Sequence, residues 1–347
     1  MFFKKFIILF FLVSCSKTSY ILDQSIGQIK LLNKARDNET VLKDVRVPKK
    51  HKEKIKLVEK YKKHFYEYWD KKETKLYSKT VILDQKAVTY LVIASEHNKV
   101  QALRHCFVFV GCFPYLGFFS EKKAKKFADE LKEDGFSIYT RPVYAYSTLT
   151  RFTDPILSSF FYYSDESLAE LIFHELFHTI FFIKDEVEIN ENLANYFGKE
   201  MMKEYFHYSK EKEERMAKEL EIKREINKEV VKQVEILNDL YKSKKPQSRD
   251  ESNIVFKEFM KNQFNPQISQ KCRQLKVKNC YPLERKWNNA SFAAYLTYEA
   301  KGDSIQKLRK KLGFNLKKLL EYINNKYQQY KNEENDLAFS SYLFKDL

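Results

Sequence analysis

The sequence predicts an α+β fold that is predominantly helical. Only 7 glycines and 7 prolines occur among 347 residues, while Lys and Glu are abundant, a composition that favours long helices. Runs rich in Val, Ile, Phe and Tyr that read as strands fall within residues 80–149, and longer stretches on either side carry apolar residues at helical spacing. The 29 Phe and 23 Tyr supply bulky material for a core.

At the N-terminus, Lys4 and Lys5 precede an unbroken apolar run from Phe6 to Val13. A membrane-spanning helix needs ~20 apolar residues, so this run reads as the apolar part of a signal peptide. Leu12-Val13-Ser14-Cys15 resembles the bacterial lipobox, which implies cleavage before an acylated Cys15. Residues 1–14 are then the signal peptide and 15–347 the exported domain, with two candidate lobes, 15–160 and 161–347. The expected location is the cell envelope, with the chain held to a membrane by lipid. In a Gram-negative host it would face the periplasm from the outer membrane, because Ser16 is not the aspartate that favours inner-membrane retention.

The next elements follow in order. From Tyr20 to about Tyr68 the pattern is helical, with the charged stretch Lys49 to Lys56 as a connector. Strands are expected between Thr80 and Phe119, notably Val88 to Ala94 and Cys106 to Val110, punctuated by Gly111, Pro114 and Gly117. Ser120 opens a helix to Glu133, and Phe136 to Leu149 is a further strand. A helix from Ser164 or Asp165 to about Ile183 follows, then one from Ile189 to Tyr208. Lys210 to Lys245 is a long helix or helical hairpin with an apolar stripe, Pro246 to Ser252 a loop, and helices continue to about Tyr330.

Net charge is +16, but the lysines are dispersed and mixed with glutamates, so most of them read as solvated surface. No nucleic-acid-binding signature accompanies them, and no nucleic-acid partner is expected. Apart from Cys15, the cysteines fall into two close pairs, Cys106 with Cys112 and Cys272 with Cys280, both candidate disulfides in an oxidising envelope. In one continuous strand Cys106 and Cys112 would lie ~20 Å apart, so their bridge requires a turn near Gly111. Cys272 and Cys280 flank a turn-prone stretch where closure is easy. Neither spacing matches a cysteine zinc site.

The chemistry centres on His174-Glu175-Leu176-Phe177-His178. Histidines four apart on a helix share a face, close enough for both rings to bind one tetrahedral Zn2+. Glu175 sits beside them, where a carboxylate can take the proton of an attacking water and later deliver it to a leaving amine. A third ligand must come from elsewhere. Glu191, at the start of the next helix, is the candidate, because a short connection makes the two helices antiparallel neighbours. Glu186 and Glu188 compete for the role from within the connection. Asn195, one turn beyond Glu191, is placed to accept the free ring N–H of a ligating histidine. Tyr146 and Tyr298 are candidate donors to a developing oxyanion.

The pair His174-Glu-x-x-His178 and Asn190-Glu191-x-x-Ala194 resembles the gluzincin arrangement of thermolysin-like zinc peptidases. The wider pattern is similar to the putative aminopeptidase family of bacterial lipoproteins. It takes in Ala145 to Leu149, Asp154-Pro155 and Leu168 to Ala194, supported by Gly27-Gln28, Pro114-Tyr115-x-Gly117 and Asn288-Asn289-Ala290. That resemblance implies a gluzincin-like fold with a mixed or antiparallel sheet beside the zinc-binding helix pair, and hydrolysis of peptide substrates. Asn195 stands where thermolysin has an aspartate. The Gly-x-Met-Glu-Asn segment that anchors a substrate amine in large zinc aminopeptidases is absent, so endopeptidase action stays open. A non-catalytic zinc-binding or structural lipoprotein is the alternative reading.

Overall fold

The structure is a computed structural model that describes residues 19–107, 111–145, 153–184, 186–298, 303–333 and 338–345. The chain divides into two compact units. One comprises the described parts of Met1–Gln28, Thr89–Val143 and Ser209–Ala300, the other those of Ile29–Val88, Tyr144–Tyr208 and Lys301–Leu347. Because the units alternate along the chain, a single cut between residues 160 and 161 does not separate them.

The first unit is built on a three-stranded antiparallel sheet in which Thr89–Ser95 lies between Leu116–Phe118 and Ser137–Val143. Successive side chains of a strand point to opposite faces, and the central strand uses both. Val92 joins Leu116, Phe118, Ala124 and Ala128 against the helix Glu121–Glu133. Leu91 and Ile93 instead meet Ala290 and Ala294 of the helix Asn289–Tyr298. Cover on both faces explains the near-continuous apolar run of this strand. Ser120 caps the first of these helices by accepting from Lys123 N.

Beside the sheet, His105–Phe107 pairs with Gly111–Phe113 so that Cys106 and Cys112 stand opposite each other, joined by a disulfide with their Cα atoms 3.9 Å apart. The helix Lys210–Lys244 is one continuous rod and not a hairpin. Its stripe Ile226, Val230, Val234 and Leu237 packs into a core that includes Phe259, Phe264, Trp287 and Phe292. The expected loop 246–252 is shorter than read: Ser248 caps a helix that begins at Arg249. A second disulfide joins Cys272, in the helix Asn265–Gln274, to Cys280.

The second unit holds a small mixed sheet. Lys79–Val81 pairs antiparallel with Arg36–Asp37 and parallel with Ile156–Leu157. Its main body is helical: Lys49–Tyr68 packs on Asp165–Phe177, which packs most extensively on Val187–Tyr205. Here the expected connector at Lys49 to Lys56 is corrected, since these residues form the first turns of a 20-residue helix. Most of their charges face solvent. Lys54 instead turns inward to donate to Tyr163 O and Asp165 Oδ1, both at 2.7 Å. The fold is thus mostly helical with small sheets, and one of those sheets shares a unit with the helix pair that carries the histidines.

Candidate metal centre

The helix Asp165–Phe177 is set by its first turn. Ser164 accepts from Ser167 N at 3.2 Å, Asp165 and Glu166 complement the positive end of the helix, and Lys54 ties Asp165 to the neighbouring helix. Leu168, Ile172, Phe173, Leu176 and Phe177 are all buried, so the helix is apolar around most of its circumference. The expected extension to Ile183 is not formed. His178 is the C-cap, and Thr179 Oγ1 donates to Leu176 O. Because His178 still has right-handed helical torsions, the four-residue spacing keeps its geometry: the His174 and His178 rings stand 5.1 Å apart, nearly perpendicular.

A buried side chain holds the connection to the next helix. Asn190 is buried and grips the connection from both sides, donating to Ile183 O at 2.6 Å and accepting from Ile183 N at 2.9 Å. The helix Val187–Tyr205 then runs back alongside the first. The two helices come close at Gly198, where a Cβ would lie 2.9 Å from the backbone nitrogen of His174.

These constraints bring the Glu191 carboxylate to both histidines. Oε2 is 3.5 Å from His174 Nε2 and Oε1 is 3.4 Å from His178 Nε2. Ligands held ~2.0–2.1 Å from a tetrahedral zinc stand ~3.3 Å from one another, so the separations suit a shared ion. The state of His178 agrees with that fit. Its two ring nitrogens are buried with no hydrogen-bond partner among the described residues. Burial, with His174 alongside, pulls its pKa down to about 4, which leaves a neutral ring with a lone pair to give. At His174 burial also pulls the pKa down, but the hydrogen bond it donates to Glu191, the Glu175 and Glu191 charges and the Asn195 side chain outweigh it, and the net shift is upward. Glu191 is itself held low, chiefly by its hydrogen bond with His174.

Glu175 is buried, and by distance alone the tightest trio is His174, Glu175 and His178, with one candidate ligand atom from each within 4.8 Å of the others. Glu191 faces the same two rings with its two oxygens, and Glu175 stands beside them on the helix of the histidines.

Other expected residues are placed as follows. Glu186, a competing ligand, is committed elsewhere: its Oε1 accepts from Phe339 N at 2.9 Å. Tyr298 ends the helix Asn289–Tyr298 in the first unit. Tyr146 and Cys15 lie outside the described residues, as does the side chain of Glu188. One residue was missed. Tyr77 is fully buried, and burial first, then the charges of Glu175 and Asp154, push its phenol well above the ordinary range, so it stays protonated. Its backbone has a positive φ of 59° and donates to Asp154 O at 2.9 Å. Nothing in the loop sequence around it signals this approach, which depends on chain distant in sequence.

No curated protein and no solved structure matches the chain. A family profile does, over residues 19–338. The chain belongs to the family described as "Putative aminopeptidase".

Proposed function

We propose that this protein is a zinc-dependent peptidase of gluzincin type, an aminopeptidase in keeping with its family, tethered to a membrane of the cell envelope by lipid on Cys15. The observation that carries the reading is the Glu191 carboxylate facing His174 Nε2 and His178 Nε2 at 3.5 and 3.4 Å. His174, His178 and Glu191 would hold the ion. When bound there, zinc would polarise a substrate carbonyl and make a water acidic enough to attack near neutral pH.

The protein's own groups carry the remaining work. Glu175 accepts a proton from the attacking water and returns it to the leaving amine, a role that requires a carboxylate beside the ligands and not among them. Asn195 orients the His174 ring by hydrogen bonding. Asn190 and Gly198 fix the direction and distance of the second helix, and with them the position of Glu191.

The test is metal content. The acyl-free chain from Ser16 onward, expressed with zinc available, should carry about one zinc per chain, and His174→Ala and Glu191→Ala should each lose it. Wild-type protein without metal, or variants that keep it, would contradict the assignment. A peptide set with free and blocked N-termini then separates an aminopeptidase, which must recognise the terminal ammonium, from an endopeptidase.

A further inference from the structure

The helix that opens the described chain, residues 19–33, begins with one polar anchored face and one apolar exposed face, the reverse of a soluble surface helix. Its inner face is tied to the first unit at one-turn intervals. Tyr20 OH donates to Gly117 O at 2.8 Å, and its ring stacks on Phe107. Asp23 pairs with Lys123 at 2.6 Å. At Gly27 the backbone lies directly on Phe119, whose Cδ2 would be 2.3 Å from a Cβ. The opposite face presents Ile21, Leu22 and Ile26 at 39%, 57% and 48% exposure. The hydroxyl between them, Ser25, donates to Ile21 O at 2.9 Å, so the polar group of this patch is already satisfied within the helix.

The geometry points to a bilayer as the surface that covers this face: Ile21, Leu22 and Ile26 insert into the interfacial region of the membrane to which Cys15 is attached. The inference rests on the lipid-anchor reading above. Five residues separate Cys15 from Ile21, which limits the patch to within ~20 Å of the acylated residue even for fully extended chain. An apolar patch kept that close to a bilayer meets lipid at a high effective concentration. No described helix is long and apolar enough to cross a membrane, so the contact is a helix lying in the interface and not a span. The anchored inner face supplies the rigidity, and Lys122 and Lys125 on the adjoining helix Glu121–Glu133 are exposed cations suited to anionic headgroups. The consequence is orientational. A single acylated residue leaves a protein free to tumble about its tether, whereas a second, rigid contact fixes which side faces the membrane.

Two arms test this and keep it separate from the anchor. In the first, the acyl-free chain from Ser16 is sedimented with vesicles of phosphatidylethanolamine and phosphatidylglycerol. Partition should fall by about tenfold or more in Leu22→Ser/Ile26→Ser, whose exposed positions leave the fold intact. Equal partition of the two proteins, or none by wild type, would overturn the proposal. In the second, acylated protein carries a polarity-sensitive label at Leu22→Cys or Ile26→Cys, with Lys232→Cys as an aqueous control. The labels at 22 and 26 should be quenched by lipid-borne and not by water-soluble quenchers, and quenching like that of the control would overturn it. Labels shielded only as the protein self-associates in solution would assign the face to a second copy instead. If mass spectrometry finds Cys15 unmodified, the anchor fails alone, and the first arm still decides the patch.

Discussion

The nitrogen of His174 and the Cα of Gly198 pass so closely that a single added Cβ at residue 198 would lie 2.9 Å from that nitrogen and 3.0 Å from the carbonyl oxygen of Glu170. Backbone atoms cannot rotate away as a side chain can. The distance between the two helices, and with it the reach of Glu191, therefore depends on this glycine.

Gly198→Ala should destabilise the protein by roughly 1–3 kcal/mol, although alanine is the better helix former by ~1 kcal/mol, because relief requires moving one helix off the other. Urea denaturation measures the loss. Metal titration of the folded variant should show weaker zinc binding, since Glu191 rides on the displaced helix.

Asn190 makes two hydrogen bonds to Ile183 from a buried position. Asn190→Ala leaves both backbone groups of Ile183 unsatisfied, at an expected cost of about 2–4 kcal/mol. Asn190→Asp should be no rescue, because it keeps the acceptor, loses the donor and buries a charge. Equilibrium unfolding of both variants checks this, and a wild-type midpoint for either would remove Asn190 as the clamp.

How much of this was legible in the sequence depends on range. The histidine pair and its helix could be read because four-residue spacing is a local property, and the mixed helical and strand signals gave the fold class. The end of that helix could not: Ile180, Phe181 and Ile183 continue an apolar pattern, but the chain turns after His178, and the connection is held at Ile183 by Asn190, seven residues further on. Lys49 to Lys56 looked like a connector because charge density hides a helix whose buried face begins with Lys54 and Ile55. The alternation of the two units along the chain, and the approach of Tyr77 to Glu175, depend on pairing between distant segments that no local pattern encodes.

Zinc uptake should be coupled to proton release near neutral pH. His174 has a pKa above its ordinary ~6.5, so the metal-free folded state holds a proton there that a metal must displace. His178, at about 4, is already neutral and releases none. Affinity for zinc should therefore fall as pH falls through the His174 range. By the same linkage, that pairing stabilises the metal-free fold fully below pH ~6.5 and is lost as pH rises through the folded value. Calorimetric zinc titrations in buffers of different protonation enthalpy measure the released protons, and a buffer-independent heat would contradict the prediction.

The disulfide between Cys272 and Cys280 closes a short loop in the first unit. Cys272→Ser/Cys280→Ser should lower stability by about 2–3 kcal/mol through the freed chain entropy of the unfolded state. Zinc content should not change, since the metal candidates belong to the other unit. Thermal unfolding and metal analysis on the same sample check both halves.

The most direct test of the account is Glu175→Gln, assayed for zinc content and peptide hydrolysis on the same preparation. An amide can hold a water but cannot accept its proton, so the variant should keep wild-type zinc and lose activity by ~100-fold or more. Hydrolysis at the wild-type rate with zinc in place would contradict the role of Glu175, and loss of zinc with activity would make Glu175 a ligand instead of a base.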